Sequence, residues 1–124
     1  MPNIELPHNH NISTDVIHEY TAHTDNFQIV SNIFKQLSDS NRLRIFWLLC
    51  HCEECVTNIS AITEMSSPAV SHHLKQLRAS NLIISRRDGK EVYYKASDTT
   101  QATLLHSMIE NLVEISCPKN NIEK

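Results

Sequence analysis

The stretch from Ser66 to Ala96 constrains the fold most, because its apolar residues change from a helical to a strand period within one short segment. Ser66 or Ser67 can cap a helix by accepting a backbone N–H, and the proline that follows suits a first turn, where no donor is needed. Apolar residues then recur three and four positions apart, at Val70, Leu74 and Leu77. This spacing predicts a helix with one buried face and one polar face.

The second half of the stretch predicts a β-hairpin. The segments LIISRR and EVYYKA flank Asp88-Gly89, a dipeptide typical of two-residue hairpin turns. Gly89 is the only glycine in the chain, so positive φ is easily available only at this turn. A turn at Asp88-Gly89 would place Arg87 opposite Lys90, a like-charge pair that a bound polyanion would stabilise.

The charge of the same stretch indicates a function. It holds six basic and two acidic residues within a chain of formal net charge −3. A solvated charged face is the simpler explanation, but a basic helix followed by a basic hairpin favours nucleic-acid binding. We expect four residues of the helix to face base edges or nearby phosphates: Ser67, Ser71, His72 and Gln76. We expect five basic residues to contact mainly the DNA backbone: Lys75, Arg78, Arg86, Arg87 and Lys90.

The segment VTNISAITEM, just before this stretch, predicts a short helix with Val56, Ile59 and Ile62 facing inward. Together the two helices predict a helix-turn-helix, in which the second helix enters the major groove.

Three segments, DSNRLRI, VSHHLKQLR and RRDGKEVYY, closely resemble parts of the ArsR/SmtB winged-helix repressors. They correspond to the helix that leads into the DNA-binding unit, the recognition helix and the wing. The resemblance covers about residues 27 to 116. It implies a mainly α fold with a small β-hairpin wing, that is, a dimeric winged helix-turn-helix. It also implies a homodimer that binds double-stranded operator DNA and releases it when a metal ion or another inducer binds.

The rest of the chain predicts three parts: a flexible N-terminal arm at 1–24, a DNA-binding and dimerisation domain at 25–117 and a tail at 118–124. A short helical turn is expected within the arm near Val16, and helices are expected at 25–37, 41–50 and 97–116. The last helix is too apolar to lie alone on the surface of a small domain, so we expect it to pair with a second copy. The expected dimer surface includes Phe27, Val30, Leu105, Met108 and Leu112.

Three cysteines are the main candidate sensor. Cys50, Cys52 and Cys55 form a CxC that overlaps a CxxC, and thiolates at this spacing can converge on a thiophilic ion such as Zn(II) or Cd(II). Glu53 and Glu54 indicate an exposed segment. We expect induction to depend most on Cys55, which precedes the first helix of the helix-turn-helix. Thiol oxidation or persulfidation, at Cys55 or Cys117, is the alternative signal, and the absence of any sensing role is the third possibility.

The family resemblance implies two possible sources of metal ligands. In relatives that sense soft metals, the first helix of the helix-turn-helix begins with the sequence CVC. Here Cys55 matches the first cysteine of that sequence, but Thr57 occupies the place of the second. In some relatives the arm of the other subunit supplies ligands, which here would be His8, His10 and His18.

The last helix of the family often holds another metal site. Its positions fall on Asp98, Thr100, Glu110 and Glu114. Only Asp98 keeps the family's residue, so this site is expected to be absent. His106 and Glu110 lie four apart on one helical face, which is compatible with a different site; a merely solvated histidine is the simpler interpretation.

Composition excludes several classes of protein. A length of 124 residues with 40% hydrophobic and 20% charged residues is ordinary for one globular domain. No apolar run approaches a membrane span and no signal-peptide pattern is present, which predicts a cytoplasmic protein that contacts no membrane. A metal-dependent enzyme is a remote alternative, since no HExxH, paired catalytic carboxylates or nucleophile elbow supports it; we expect no enzymatic activity.

Overall fold

The computed structural model describes residues 5–8, 10 and 14–116. The chain falls into two units, residues 1–34 and 35–124. The first unit contains helix α1, Thr14–Thr21, and most of helix α2, Thr24–Gln36. The turn expected near Val16 is therefore a helix of eight residues. Neither α1 nor α2 has a buried residue, so large apolar side chains of α2 such as Phe27 remain exposed.

The second unit is mainly helical with one small sheet, which confirms the predicted fold class. Its elements follow in the order α3 Ser40–His51, β1 Glu54–Cys55, α4 Val56–Thr63, α5 Ser67–Ala79, β2 Ile83–Asp88, β3 Glu91–Ala96 and α6 Thr100–Ser116. Helices α4 and α5 form the helix-turn-helix, and strands β2 and β3 form the wing.

Local capping interactions explain where these helices begin and end. The Asp39 carboxylate accepts hydrogen bonds from the backbone N–H groups of Asn41 and Arg42 at the start of α3. The Ser66 hydroxyl accepts one from Ala69 at the start of α5, as the sequence predicted. Helix α4 ends at Thr63 and is capped by Glu64, which has φ +58° and lies in the left-handed region. The chain thereby turns from α4 into α5 without a glycine.

The core of the second unit is formed by one apolar face from each helix and by the start of the wing. Its buried apolar residues are Ile45, Phe46, Leu49, Cys55, Ile59, Val70, Leu74, Leu77, Leu82, Ile83, Ala102, Leu105 and Ile109. The stripe predicted for α5 is therefore confirmed. Two expectations are wrong: Leu105, expected on the dimer surface, packs inside the protomer, and Ile62, expected to face inward, is 54% exposed because Thr63 takes the buried place at the end of α4.

The wing belongs to a sheet of three strands in the order β1-β3-β2. Strand β1, which the sequence did not predict, pairs Cys55 with Tyr93. In the hairpin, Arg87 lies opposite Val92 and Asp88 opposite Glu91. The two-residue turn is therefore Gly89-Lys90 rather than Asp88-Gly89, and the expected like-charge pair of Arg87 with Lys90 is not formed.

Gly89 has φ +65° while Lys90 keeps a negative φ. A hairpin turn with positive φ at its first central residue favours glycine there. Nothing lies within 4 Å of a Cβ built at Gly89, so its role is conformational rather than steric.

Among the described residues, no helix combines the length and the apolar character that a membrane span requires.

Candidate nucleic-acid interface and candidate metal site

Helix α5 presents a polar face to solvent and anchors the opposite face in the core. The predicted DNA-contacting residues on it are exposed, except for the half-buried Gln76: Ser67, Ser71, His72, Lys75 and Arg78. Because its other face is buried, the helix can offer these side chains to a groove without losing its own packing.

His73, which the sequence did not single out, belongs to the buried face of α5 and is only 8% exposed. Its Nδ1 accepts a hydrogen bond from Nε of Arg42 on α3, at 3.2 Å. Burial is the main cause of its lowered pKa, and the charge of Arg42 acts in the same direction. A neutral His73 therefore joins α3 to α5, while its neighbour His72 faces solvent.

The two adjacent arginines of the wing have different environments. Arg86 donates to both carboxylate oxygens of Glu53, at 2.8 and 2.9 Å, and its guanidinium lies 4.9 Å from the centre of the Tyr93 ring. The hydrogen bond from Arg86 lowers the pKa of Glu53. Arg87 and Lys90 are exposed, and within the described chain neither forms a salt bridge. Arg86 therefore joins the wing to the segment before α4, whereas Arg87 and Lys90 remain available to phosphates.

The three clustered thiols have different degrees of burial. Cys50 and Cys52 are half-buried and Cys55 is 8% exposed, although Glu53 and Glu54 had indicated an exposed segment. Burial, followed by the charge of Glu110, raises the pKa of Cys50 to about 11. Burial also raises the pKa of Cys52. Both thiols are therefore protonated until an ion displaces the proton.

The described residues contain a single group of three or more ligand atoms close enough to share an ion, and it includes no thiol. The three cysteines are thus not brought together around one point. His8 and His10 belong to the first unit, where their ring centres lie 6.0 Å apart, and His18 lies on α1. Cys117 lies outside the described residues.

The group that does converge joins α3 to α6, and we call it the His51–His106–Glu110 cluster. His51 Nε2 lies 3.1 Å from Oε2 of Glu110 and 3.1 Å from Nε2 of His106. His106 Nε2 lies 3.2 Å from the same Glu110 oxygen. The side chains of His51, His106 and Glu110 are 43%, 30% and 45% exposed, so solvent reaches the cluster.

Trp47, one turn before His51 on α3, completes the surroundings of the cluster. Its indole N–H donates to Oε2 of Glu110 at 2.9 Å, and its ring centre lies 4.4 Å from that of His51. The hydrogen bond from Trp47, followed by the one from His51, lowers the pKa of Glu110. Glu110 is therefore an ionised carboxylate held by the indole.

Comparison with known proteins identifies the family to which this architecture belongs. Residues 39–85 match the family described as "Bacterial regulatory protein, arsR family". The chain is 36% identical over 90 residues to a "Transcriptional repressor SmtB homolog" from Synechocystis sp., a match that covers 73% of this chain and 68% of that protein. This chain belongs to the ArsR family.

A second curated relative also places this ArsR-family chain among transcriptional regulators rather than enzymes. It is 47% identical over 66 residues to a "Cadmium resistance transcriptional regulatory protein CadC" from Listeria innocua, covering 52% of this chain and 56% of that protein. Among solved structures, HlyU from Vibrio cholerae is 30% identical with a TM-score of 0.64, covering 74% of this chain and 96% of that one. The family resemblance and the winged helix-turn-helix fold predicted from the sequence are confirmed.

The sequence of this ArsR-family chain pointed to two of the three residues of the cluster. The sequence placed His106 and Glu110 four apart on one face of the last helix, whereas His51 was not singled out as a candidate ligand. A signal was present: Trp47 and His51 lie four apart on α3, just as His106 and Glu110 lie four apart on α6. Residues four apart lie on one face of a helix, so each pair was visible within its own helix, although the contact between the two helices was not.

Proposed function

We propose that this chain is a homodimeric transcriptional repressor that binds operator DNA through α5 and the wing, and releases it when a thiophilic metal ion binds. The observation on which the proposal rests is the exposed polar face of α5 together with the two exposed cations of the wing, Arg87 and Lys90. Hydroxyl, imidazole and amide groups on such a helix can contact base edges, while cations contact phosphates and supply affinity.

The DNA-binding part is tested with an operator selected by the protein from a pool of random duplexes. Fluorescence anisotropy then compares Lys75→Ala, on the exposed face of α5, with Lys35→Ala, at the end of α2. Loss of Lys75 should weaken binding to the selected and to unrelated duplexes alike, since a phosphate contact is not sequence-specific. The Lys35 variant should bind as the wild type does, and equal effects of the two variants would contradict the proposal.

Self-association is supported by apolar surface that the protomer leaves uncovered. Helix α6 exposes Leu104, Met108, Leu112, Val113 and Ile115, and α2 exposes Phe27, Ile29, Val30 and Phe34. An open groove of about 1130 Å³ also lies beside the end of α6, lined by apolar residues that include Trp47, Ile62 and Val113. Exposed apolar surface on this scale is typical of a protein interface. Of the residues predicted for the dimer surface, Phe27, Val30, Met108 and Leu112 are available for it.

Release by a thiophilic ion is supported by the spacing of Cys50, Cys52 and Cys55 in the sequence and by the name of the cadmium-resistance relative. Cys55 lies at the N-cap position of α4, so a ligand bond to its sulfur would act on the first helix of the helix-turn-helix. Burial raises the pKa of Cys50 and Cys52, which slows their oxidation because the thiolate is the form that reacts with oxidants; an ion that binds these sulfurs must likewise displace their protons.

The thiol proposal is tested with Cys55→Ser in reduced, metal-free protein. Operator affinity is measured before and after addition of Cd(II). The variant should bind DNA normally and lose its response, whereas wild-type affinity should fall by about 5- to 150-fold, the range of typical allosteric couplings. A full response retained by Cys55→Ser would exclude Cys55 as the sensor.

A further inference from the structure

We propose that the His51–His106–Glu110 cluster is a metal site within one protomer, selective for a borderline divalent ion such as Zn(II). Two imidazole nitrogens and one carboxylate oxygen are ligands that zinc accepts readily, whereas softer ions prefer thiolates. The site is distinct from the thiols of Cys50, Cys52 and Cys55, and it uses α3 and α6 of the same chain.

The distances fit such an ion. The three ligand atoms lie 3.1 to 3.2 Å from one another. A tetrahedral zinc site with bonds of 2.0–2.1 Å separates its ligand atoms by about 3.3 Å. The side chains therefore need to move apart by only a few tenths of an ångström, which solvent-exposed rotamers can accommodate.

Hydrogen bonds between neutral imidazoles and the carboxylate do not satisfy every contact in the cluster. A neutral imidazole carries one ring proton, and an Nε2 can either donate or accept. If both Nε2 atoms donate to Glu110, their N–H groups lie side by side at 3.1 Å and repel each other. If one Nε2 is unprotonated, its lone pair faces the carboxylate oxygen instead. A cation among the three atoms satisfies all three lone pairs at once.

Trp47 serves as the outer-shell partner that such sites require. Its N–H bond to Oε2 of Glu110 fixes the carboxylate, and outer-shell hydrogen bonds of this kind orient metal ligands. The partial exposure of the three ligand side chains leaves room for a water molecule as a further ligand. An open site with three protein ligands exchanges its ion more readily than a closed four-ligand site, which suits a sensor.

The position of the cluster supplies a route to the DNA-binding face; this step rests on the proposed function. Helix α3 is hydrogen-bonded to both helices of the helix-turn-helix, through Arg42 to His73 at 3.2 Å and through Arg44 to the Thr63 carbonyl at 3.0 Å. Occupancy of the cluster would hold the end of α3 against α6. The bound ion would thereby fix the angle between α5 and α6 at its value in the DNA-free conformation. Helix α6 also carries the exposed apolar face.

Direct binding is measured by Zn(II) titration of reduced, chelator-treated full-length protein. Trp47 is the only tryptophan, so its fluorescence reports on the cluster without interference from another indole. Co(II), as a spectroscopic substitute, should give visible ligand-field bands and no thiolate charge-transfer band. His106→Gln and Glu110→Gln should each weaken Zn(II) binding at least about 100-fold, beyond the effect of losing an outer-shell partner. His23→Gln, an exposed histidine outside the cluster, is the matched control, and circular dichroism confirms that each variant is folded.

The possible results distinguish a failure of the proposed metal site from a failure of the proposed function. Wild-type affinity for Zn(II) in His106→Gln, or a Co(II) thiolate band that disappears in Cys55→Ser, would overturn the histidine site and leave metal-responsive repression intact. Loss of Zn(II) binding in the cluster variants, with unchanged binding in Cys55→Ser and His23→Gln, would establish it. If the site binds Zn(II) but no metal alters wild-type operator affinity, the proposed function fails while the site remains.

Discussion

Replacing Arg87 by alanine should flatten the salt dependence of operator binding, whereas the same change at Arg86 should do so much less. The two arginines are adjacent in β2 and equally charged. However, the guanidinium of Arg86 is engaged by both oxygens of Glu53, while Arg87 is exposed and, within the described chain, without a salt-bridge partner. Only the charge of Arg87 is fully available to replace counterions on a phosphate.

The magnitude follows from counterion release. Each phosphate contact contributes about 0.9 to the slope of log affinity against log salt concentration. A dimer loses two contacts in Arg87→Ala, so its slope should fall by about 1.8. Between about 50 and 200 mM salt the wild type should therefore lose about 12-fold more affinity than the variant does.

Fluorescence anisotropy with one selected duplex at four or five salt concentrations measures both slopes. A parallel titration with a scrambled duplex shows whether the loss is independent of sequence, as a backbone contact requires. The reasoning would be refuted by an unchanged slope in Arg87→Ala, or by a larger change of slope in Arg86→Ala.

Three further predictions concern assembly and stability. Leu112→Glu should give monomers with poor operator affinity in sedimentation experiments, because a dimer would bury an unpaired charge; a variant that remains dimeric would place the interface elsewhere. The pKa of His73 is lowered in the folded state. The contribution of His73 to stability is therefore fully present above its pKa in the unfolded chain, about 6.5, and it declines as the pH falls from there through its pKa in the folded protein. Thermal melts below that pH should therefore show a smaller loss of stability in His73→Gln, which cannot titrate, than in the wild type, and equal pH dependences would count against a neutral buried His73. Ser66→Ala should lower the free energy of unfolding by about 1 kcal/mol, measured by urea denaturation, because α5 loses the side-chain acceptor for the Ala69 N–H; a change within experimental error would show that water replaces the cap.

The sequence predicted those features that depend on neighbours along the chain. The cap at Ser66 and the buried stripe of α5 are set within a few residues of each other, and both were found where expected. The hairpin was predicted as well, but its turn was shifted by one residue. Asp-Gly and Gly-Lys both supply a glycine with positive φ, and only the pairing of the flanking strands decides between them.

Features that depend on distant residues were missed for a physical reason. Strand β1 has two residues, too few to show a period, and exists because β3 offers it a partner. Because side chains alternate between the two faces of a strand, Cys55 is buried while Glu54 is more exposed. The acidic neighbours therefore gave a misleading indication that the thiols are exposed. The contact of His51 with Glu110 spans 59 positions in the sequence, and no local pattern specifies the angle at which α3 meets α6.

The third strand has a consequence for how the protein meets DNA. An isolated two-stranded hairpin is only marginally stable in water, and a wing of that kind would become ordered on the duplex. Here β3 is the central strand, paired on one side with β2 and on the other with β1, and β1 leads directly into α4. The wing and the helix-turn-helix therefore form a preorganised surface, and the conformational entropy of the wing is lost during folding rather than during binding. Such a surface adapts little to a poorly matched site, so discrimination between operators should depend on the shape of the DNA as much as on individual side-chain contacts.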